Sequence, residues 1–226
     1  MTTVYFVRHA EPDYTNHNDI ERPLTPKGKE DSKLVTGYLR DKDIEMVFSS
    51  PYLRAIETVK DFADSFGHTI ITVEDFRERK VDSCWIEDFN RFTEQQWSDF
   101  NYKLSDGECL QEVQKRNVNA LMQVINKYPN KNIVIGSHGT ALSTIINYYK
   151  PSFGFNDFQR IRAIMPWIVK FTFHGDELLH IEEIDVFSCT LVRKAVGAII
   201  IDSSNKVLMV HKANIYDCKE NIKKHI

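Results

Sequence analysis

Short unbroken apolar runs alternate with longer amphipathic stretches through the first 150 residues. Thr3–Val7 (TVYFV), Met46–Ser49 (MVFS), Ile70–Val73 (IITV) and Asn132–Gly136 (NIVIG) have the length and β-branched content of buried strands. Between them the period changes. Leu34, Val35, Tyr38 and Leu39 share one helical face after Thr25-Pro26, which reads as an N-cap followed by proline at the first helical position. Leu53, Ile56, Val59, Phe62, Ala63 and Phe66 form a second such face in a helix opened by Pro51, with Gly67 placed as its C-cap. A long helix over about 108–128 carries Leu110, Val113, Leu121, Val124 and Ile125 inward and stops at Pro129. A further apolar helix follows Ser137-His138-Gly139-Thr140 and ends before Pro151.

Alternating strands and helices predict a three-layer α/β/α sandwich around a mostly parallel sheet. Residues 74–106 interrupt the alternation. Trp85, Ile86, Phe89, Phe92, Trp97 and Phe100 stand among charges at roughly helical spacing, which predicts a small helical insertion of one or two amphipathic helices. The apolar side would be the insertion's own core; a cap role would bring Trp85 or Trp97 to a leaving group. Trp167–Phe173 and Glu177–Ile184 read as a hairpin around His174-Gly175-Asp176. From about Cys189 the pattern changes again. Two strands around Ser203-Ser204-Asn205 and a short polar tail predict a C-terminal extension, 189–226, separate from a main domain over 1–188.

Composition narrows the function classes. The 226 residues are 42% hydrophobic and 27% charged, which fits a globular chain with a core of its own. Net charge is −3, with no basic excess for nucleic acid and no polybasic run for a membrane surface. Cys84, Cys109, Cys189 and Cys218 lie far apart without a C-x-x-C pair, so reduced cytosolic thiols are the simpler reading. The first residues lack the charged and apolar regions of a signal peptide, and Ala198–Ile201 is far too short to span a bilayer. A soluble cytoplasmic protein is therefore expected.

Ligands of open α/β sheets bind beyond the carboxyl ends of the strands. Four features fall there: Arg8-His9, Ser49-Ser50-Pro51 with Arg54, Glu78 in DFRERK, and His138 in SHGT. Their types suit phosphoryl transfer. A neutral imidazole can take the phosphoryl group covalently. Arginine forks match phosphate oxygens, and a second histidine adds a donor. A carboxylic acid protonates the leaving oxygen. Blander readings compete at each position. His9 could simply pack at a strand end, His138 could cap a helix, Arg54 could pair with Glu57 or Asp61 on a helix surface, and Glu78 could be a solvated charge. Ser137-His138 lacks the G-x-S-x-G elbow of a serine hydrolase. His17, His68, His174, His180, His211 and His225 show no metal-ligand spacing.

VRHAEP (7–12), RPLTPKG (22–28), SSPYLRAIET (49–58), RERK (77–80), GECLQEVQKR (107–116) and IGSHGT (135–140) occur in the order of the histidine phosphatase superfamily. The chain resembles that phosphoglycerate-mutase-like family over about residues 1–185. The resemblance implies its fold and assigns roles by position. His9 matches the nucleophile that becomes phosphohistidine, Arg8, Arg54 and His138 match the phosphate pocket, and Glu78 matches the proton donor, with Glu74 and Glu108 as neighbouring carboxylates. It implies no metal, no cofactor and a small phosphomonoester substrate. Mutase members usually carry R-H-G-E with a Trp-Asn pair soon after and a long loop that keeps water out. Here Arg8-His9-Ala10-Glu11 is followed by Pro12-Asp13-Tyr14, and 74–106 does not match that loop. A phosphatase is therefore favoured over a mutase, with a non-catalytic binder of phosphorylated ligands as the reading from another class. Residues 195–213 resemble the opening strands of a Nudix hydrolase domain. No glycine follows Gly197 and Glu220 is the only glutamate beyond it, so no Nudix metal site is implied.

Overall fold

The computed structural model describes residues 1–84 and 86–188, together with the backbone of 199–201 and 207–209. Two compact units are present, Met1–Ile184 and Asp185–Ile226. The first contains strands β1 (Thr2–Arg8), β2 (Met46–Ser49), β3 (Ile70–Thr72), β4 (Asn132–Ser137), β5 (Trp167–His174) and β6 (Glu177–Ile184). Its helices are α1 (Pro26–Leu39), α2 (Leu53–Phe66), α3 (Phe89–Ser98), α4 (Leu110–Lys127), α5 (Gly139–Tyr149) and α6 (Phe155–Ile161). In the second unit β7 (Ile199–Ile201) pairs antiparallel with β8 (Val207–Met209). The Nudix-like stretch otherwise lies outside the described residues.

The six strands of the first unit form one sheet in the order β3-β2-β4-β1-β5-β6. β1, β2, β3 and β4 are mutually parallel, β5 runs antiparallel to β1, and β6 turns back antiparallel to β5 at the sheet's margin. This is the expected α/β fold, with α1 packed on α2 and α4 packed on α5.

Central parallel strands are covered on both faces, which is why they read as unbroken apolar runs. Val4, Phe6, Phe48, Ile133 and Ile135 join Leu110, Leu121, Leu142 and Ile145 in one core cluster. Tyr5 points the other way and meets Tyr38 of α1 edge-on, with ring centroids 6.3 Å apart. Each fully buried aromatic such as Phe6 contributes roughly 1.5–3 kcal/mol.

Helix ends follow local chemistry. Thr25 caps α1, its hydroxyl accepting from Gly28 N at 2.9 Å, with Pro26 first in the helix. Gly67 closes α2 in the left-handed conformation, φ 73°. Pro51 does not open α2, which begins at Leu53 after Tyr52. Pro51 instead lies in the bend that turns the chain from β2 into the helix. The insertion holds one helix, α3, preceded by a 3-10 turn at Glu74–Phe76. Trp97 belongs to the core of the first unit. It is 8% exposed and packs on Phe100, Phe153 and Phe158 as core. Trp85 lies outside the described residues.

Candidate active site

Parallel pairing of β1 with β4 places Arg8 opposite Ser137. One residue further, His9 N donates to Ser137 O at 3.0 Å, so His9 and His138 leave adjacent strands at the same height. Their rings meet edge to face, 5.3 Å between centroids. β2 ends beside them, and Ser50 N donates to Gly136 O at 2.8 Å.

His9 is 6% exposed, and its Nδ1 lies 2.8 Å from Ala10 O. A carbonyl only accepts, so Nδ1 carries the proton and Nε2 keeps its lone pair. Burial, then the charges of Arg54 and Arg8, hold the imidazole well below the usual histidine range. It is therefore neutral at physiological pH. His138 is fully buried, and its Nε2 lies 2.7 Å from Ser50 Oγ. Burial and then Arg54 keep this ring neutral too.

Arg8 is 6% exposed. Its Nη1 donates to Ile161 O at 2.6 Å and to Ile164 O at 3.1 Å, and its Nη2 donates to Arg162 O at 3.1 Å. Those carbonyls fix the plane of the guanidinium and leave Nε buried without a partner among the described residues. Burial lowers its pKa to about 10, so it stays cationic at neutral pH. Gly139 makes room for it, because a Cβ there would come within 3.2 Å of Arg8 Nε.

Arg54, in the first turn of α2, is 3% exposed. It pairs with neither Glu57 nor Asp61. Its Nη1 donates to Asp19 O and lies 3.2 Å from Asp19 Oδ1. Glu57 instead accepts from Leu24 N, and Asp61 accepts from Thr36 Oγ1. Arg22 shares the same Asp19 oxygen at 2.8 Å and is 8% exposed. Its charge also bears on His9. Arg22 was not a candidate from the sequence alone, although RPLTPKG contains it; its signal there was an arginine just before a helix-opening motif that faces the end of β1.

Glu78 is not a free solvated charge. Its Oε1 accepts from Arg79 N at 2.7 Å and from Ala141 N at 3.2 Å, and its Oε2 accepts from Thr140 N at 3.0 Å. The carboxyl group thus sits on the first amides of α5, the helix that His138 opens. Its loop is clamped from α4: Arg116 donates to Asp75 O, Arg77 O and Glu78 O. The other two carboxylates are placed differently. Glu108 accepts from Arg116, Arg77 and Lys80 N, and those bonds outweigh burial to hold it below its usual range. Glu74 is exposed and lies 3.7 Å from Arg77.

A cleft of about 790 Å³ is walled by Glu11, Tyr14, His17, Thr25 and Met165, none of them among the five candidate site residues. Among the described residues no group of three or more His, Cys, Asp or Glu is placed to hold a metal ion. No helix among them is long and apolar enough to cross a membrane.

Comparison with known proteins places the chain in a family. PhoE, an uncharacterised phosphatase of Bacillus subtilis, is 27% identical over 150 residues, covering 65% of this chain and 76% of that protein. A putative phosphoserine phosphatase 2 of Hydrogenobacter thermophilus is 25% identical over 158 residues, 65% and 77% of the two chains. A probable phosphoglycerate mutase GpmB of Enterobacter is 28% identical over 165 residues, 65% and 74%. Among solved structures, Bacillus stearothermophilus YhfR superposes with TM-score 0.68 at 20% identity, over 82% of this chain and 99% of that one. Entamoeba histolytica phosphoserine phosphatase, solved with 3-phosphoglyceric acid, gives TM-score 0.66 at 21% identity over the same shares. The histidine phosphatase superfamily (branch 1) model matches residues 4–181, and the chain belongs to that family.

Proposed function

We propose that this protein is a metal-independent phosphomonoesterase that works through a phosphohistidine at His9 on a small phosphorylated molecule. The observation that carries the reading is the His9 ring. Its proton is held on Nδ1 by Ala10 O, and its Nε2 lone pair stands among Arg8, Arg54 and His138.

In the first step Nε2 attacks phosphorus and the P–O ester bond breaks. The leaving oxygen takes a proton from Glu78 and departs as an alcohol. In the second step water attacks the phosphohistidine and gives its proton to Glu78. The P–N bond breaks, and inorganic phosphate and neutral His9 result. Arg8 Nε, Arg54 and His138 supply donors for the three equatorial oxygens. Each such donor is worth roughly 3 kcal/mol of barrier. Glu78 Oε2 makes one backbone bond and so has a lone pair open for the proton it carries.

Water as acceptor, rather than a second substrate position, is supported by the insertion. It holds a single ten-residue helix, α3, whose Trp97 packs into the main core on Phe153 and Phe158. A mutase, as some relatives are named, is the second reading. We assign the catalytic domain to residues 1–188 and treat 189–226 as an extension. Cys84 and Cys109 are free thiols, in keeping with a cytoplasmic setting.

The test is phosphate release from a panel of phosphomonoesters in EDTA by wild type and His9→Ala. Release by wild type with a loss of about 10⁴-fold or more in the variant is expected. Equal release by both proteins would refute the nucleophile. Conversion of a monoester to its positional isomer without release would favour the mutase.

A further inference from the structure

Ser50 follows β2 and is fully buried. Its hydroxyl has two partners among the described residues. Tyr52 N donates to Oγ at 3.2 Å, and His138 Nε2 lies 2.7 Å away. The backbone of Ser50 is itself tied to β4 through Gly136 O. The other ring nitrogen of His138, Nδ1, is buried and has no partner among the described residues.

A serine hydroxyl offers one hydrogen and two lone pairs. Suppose Nε2 carried the ring proton. Both lone pairs of Oγ would then be taken, its hydrogen would have no acceptor, and Nδ1 would present a bare lone pair toward an anion. With the proton on Nδ1 every group is used. The hydroxyl hydrogen goes to Nε2, Tyr52 N–H goes to Oγ, and one buried N–H is left over on a ring that meets His9 edge to face and feels the charges of Arg54 and Arg8. A buried donor left without a partner is costly, and a phosphoryl oxygen would supply that partner.

We propose that Ser50 is a positioning residue that holds His138 in the Nδ1–H tautomer, so that a neutral imidazole donates to the phosphoryl group. The inference rests on the phosphoryl-transfer reading of the site for its catalytic half only. The tautomer stands on the geometry of Ser50 alone. Both histidines thus carry the proton on Nδ1 and use it differently. In His9 it is tied to a carbonyl, which frees Nε2 to attack. In His138 it is the part that works, and Nε2 is tied down. Which ring nitrogen is protonated follows from the bond the other one makes.

The experiment is long-range ¹H–¹⁵N correlation on the whole chain labelled with ¹⁵N-histidine, the His138 signals being assigned by their loss in His138→Gln. Wild type should show a protonated Nδ1 and a lone-pair-bearing Nε2, and added inorganic phosphate should shift the Nδ1 proton. Ser50→Ala should mix or reverse the tautomers and lower kcat by roughly 10- to 100-fold, as removing the partner of a working imidazole does, with less change in KM. Ser50→Thr, which keeps the hydroxyl, should restore both. Protonated Nε2 in the wild type overturns the proposal. So does an unchanged nitrogen pattern in Ser50→Ala, or a switched pattern with unchanged kcat. Absence of phosphate release by wild type would strike the hydrolase reading, while the nitrogen signals would still decide the tautomer.

Discussion

His9 and His138 stand on strand ends, whereas Glu78 stands on a loop between a single 3-10 turn and α3. The two sides of the crevice are fixed by different means. The histidine floor is set by main-chain pairing: β1 and β4 are in register up to Arg8 and Ser137, and His9 N continues the ladder. The acid wall is set by side chains from distant elements. Arg116 of α4 holds three carbonyls of the 75–78 segment and pairs with Glu108, while the Glu78 carboxylate is seated on α5. The buried Arg79 adds a second clamp. It bonds Gln96 of α3, lies against Phe89 and Phe92, and makes no ion pair among the described residues. A floor built from backbone resists single substitutions, whereas a wall built from side chains can be moved by one.

The largest expected effect comes from the wall's own carboxylate. Glu78→Gln keeps one acceptor oxygen for the α5 amides but has no acidic proton to transfer to a leaving oxygen, so kcat should fall roughly 10²–10⁴-fold. The fall should be smallest for esters of acidic phenols, which leave without a proton. A uniform loss across alkyl and aryl esters would assign the proton to another group.

Moving the wall without touching it should cost less. Arg116→Met removes the clamp and leaves the mostly buried Glu108 with Arg77 as its remaining ionic partner, besides Lys80 N. Loss of about 3 kcal/mol of stability is expected, the range for breaking a mostly buried ion pair. A fall of about tenfold in kcat should accompany it, with Glu78 displaced and the His9–His138 pair unchanged. Urea unfolding and steady-state kinetics would check this, and full kcat in a folded Arg116→Met protein would end the idea that the wall depends on it.

The floor has a pH signature near neutrality, apart from the acid-range one of Glu108 in the wall. Burial and the arginines keep His9 and His138 below the usual histidine range. The unfolded chain takes up protons near pH 6.5 that the folded floor refuses, so stability is present above about pH 6.5 and declines as pH falls. Each histidine adds a slope of up to about 1.4 kcal/mol per pH unit in that window. Unfolding at pH 5 and pH 7 should show the loss, and His138→Gln should flatten it.

The same contrast explains what was legible in the sequence. Strands carry their own signal in apolar runs, so their ends placed Arg8, His9 and His138 before any coordinates. Caps such as Thr25-Pro26 and Gly67 are local and were equally readable. Arg54 is legible as a candidate, but its contact to Asp19 is not, because Asp19 lies in a polar loop with no period. That loop is anchored through Leu53 N on Ile20 O and through both arginines on Asp19, contacts visible only after the loop closes over α2. Arg22 went unassigned for the same reason. Glu78 could not be separated from Glu74 and Glu108 by spacing, because only the packing of α4 and α5 distinguishes the three.

The central claim is that phosphate passes through His9. Rapid quenching of wild type, His9→Ala and His138→Gln during turnover of a hydrolysed monoester, followed by intact-mass measurement, tests it most directly. One acid-labile phosphoryl adduct on wild type, mapped to His9 and absent from His9→Ala, is the predicted result. An adduct that persists in His9→Ala, or one mapped to any other residue, would contradict the account.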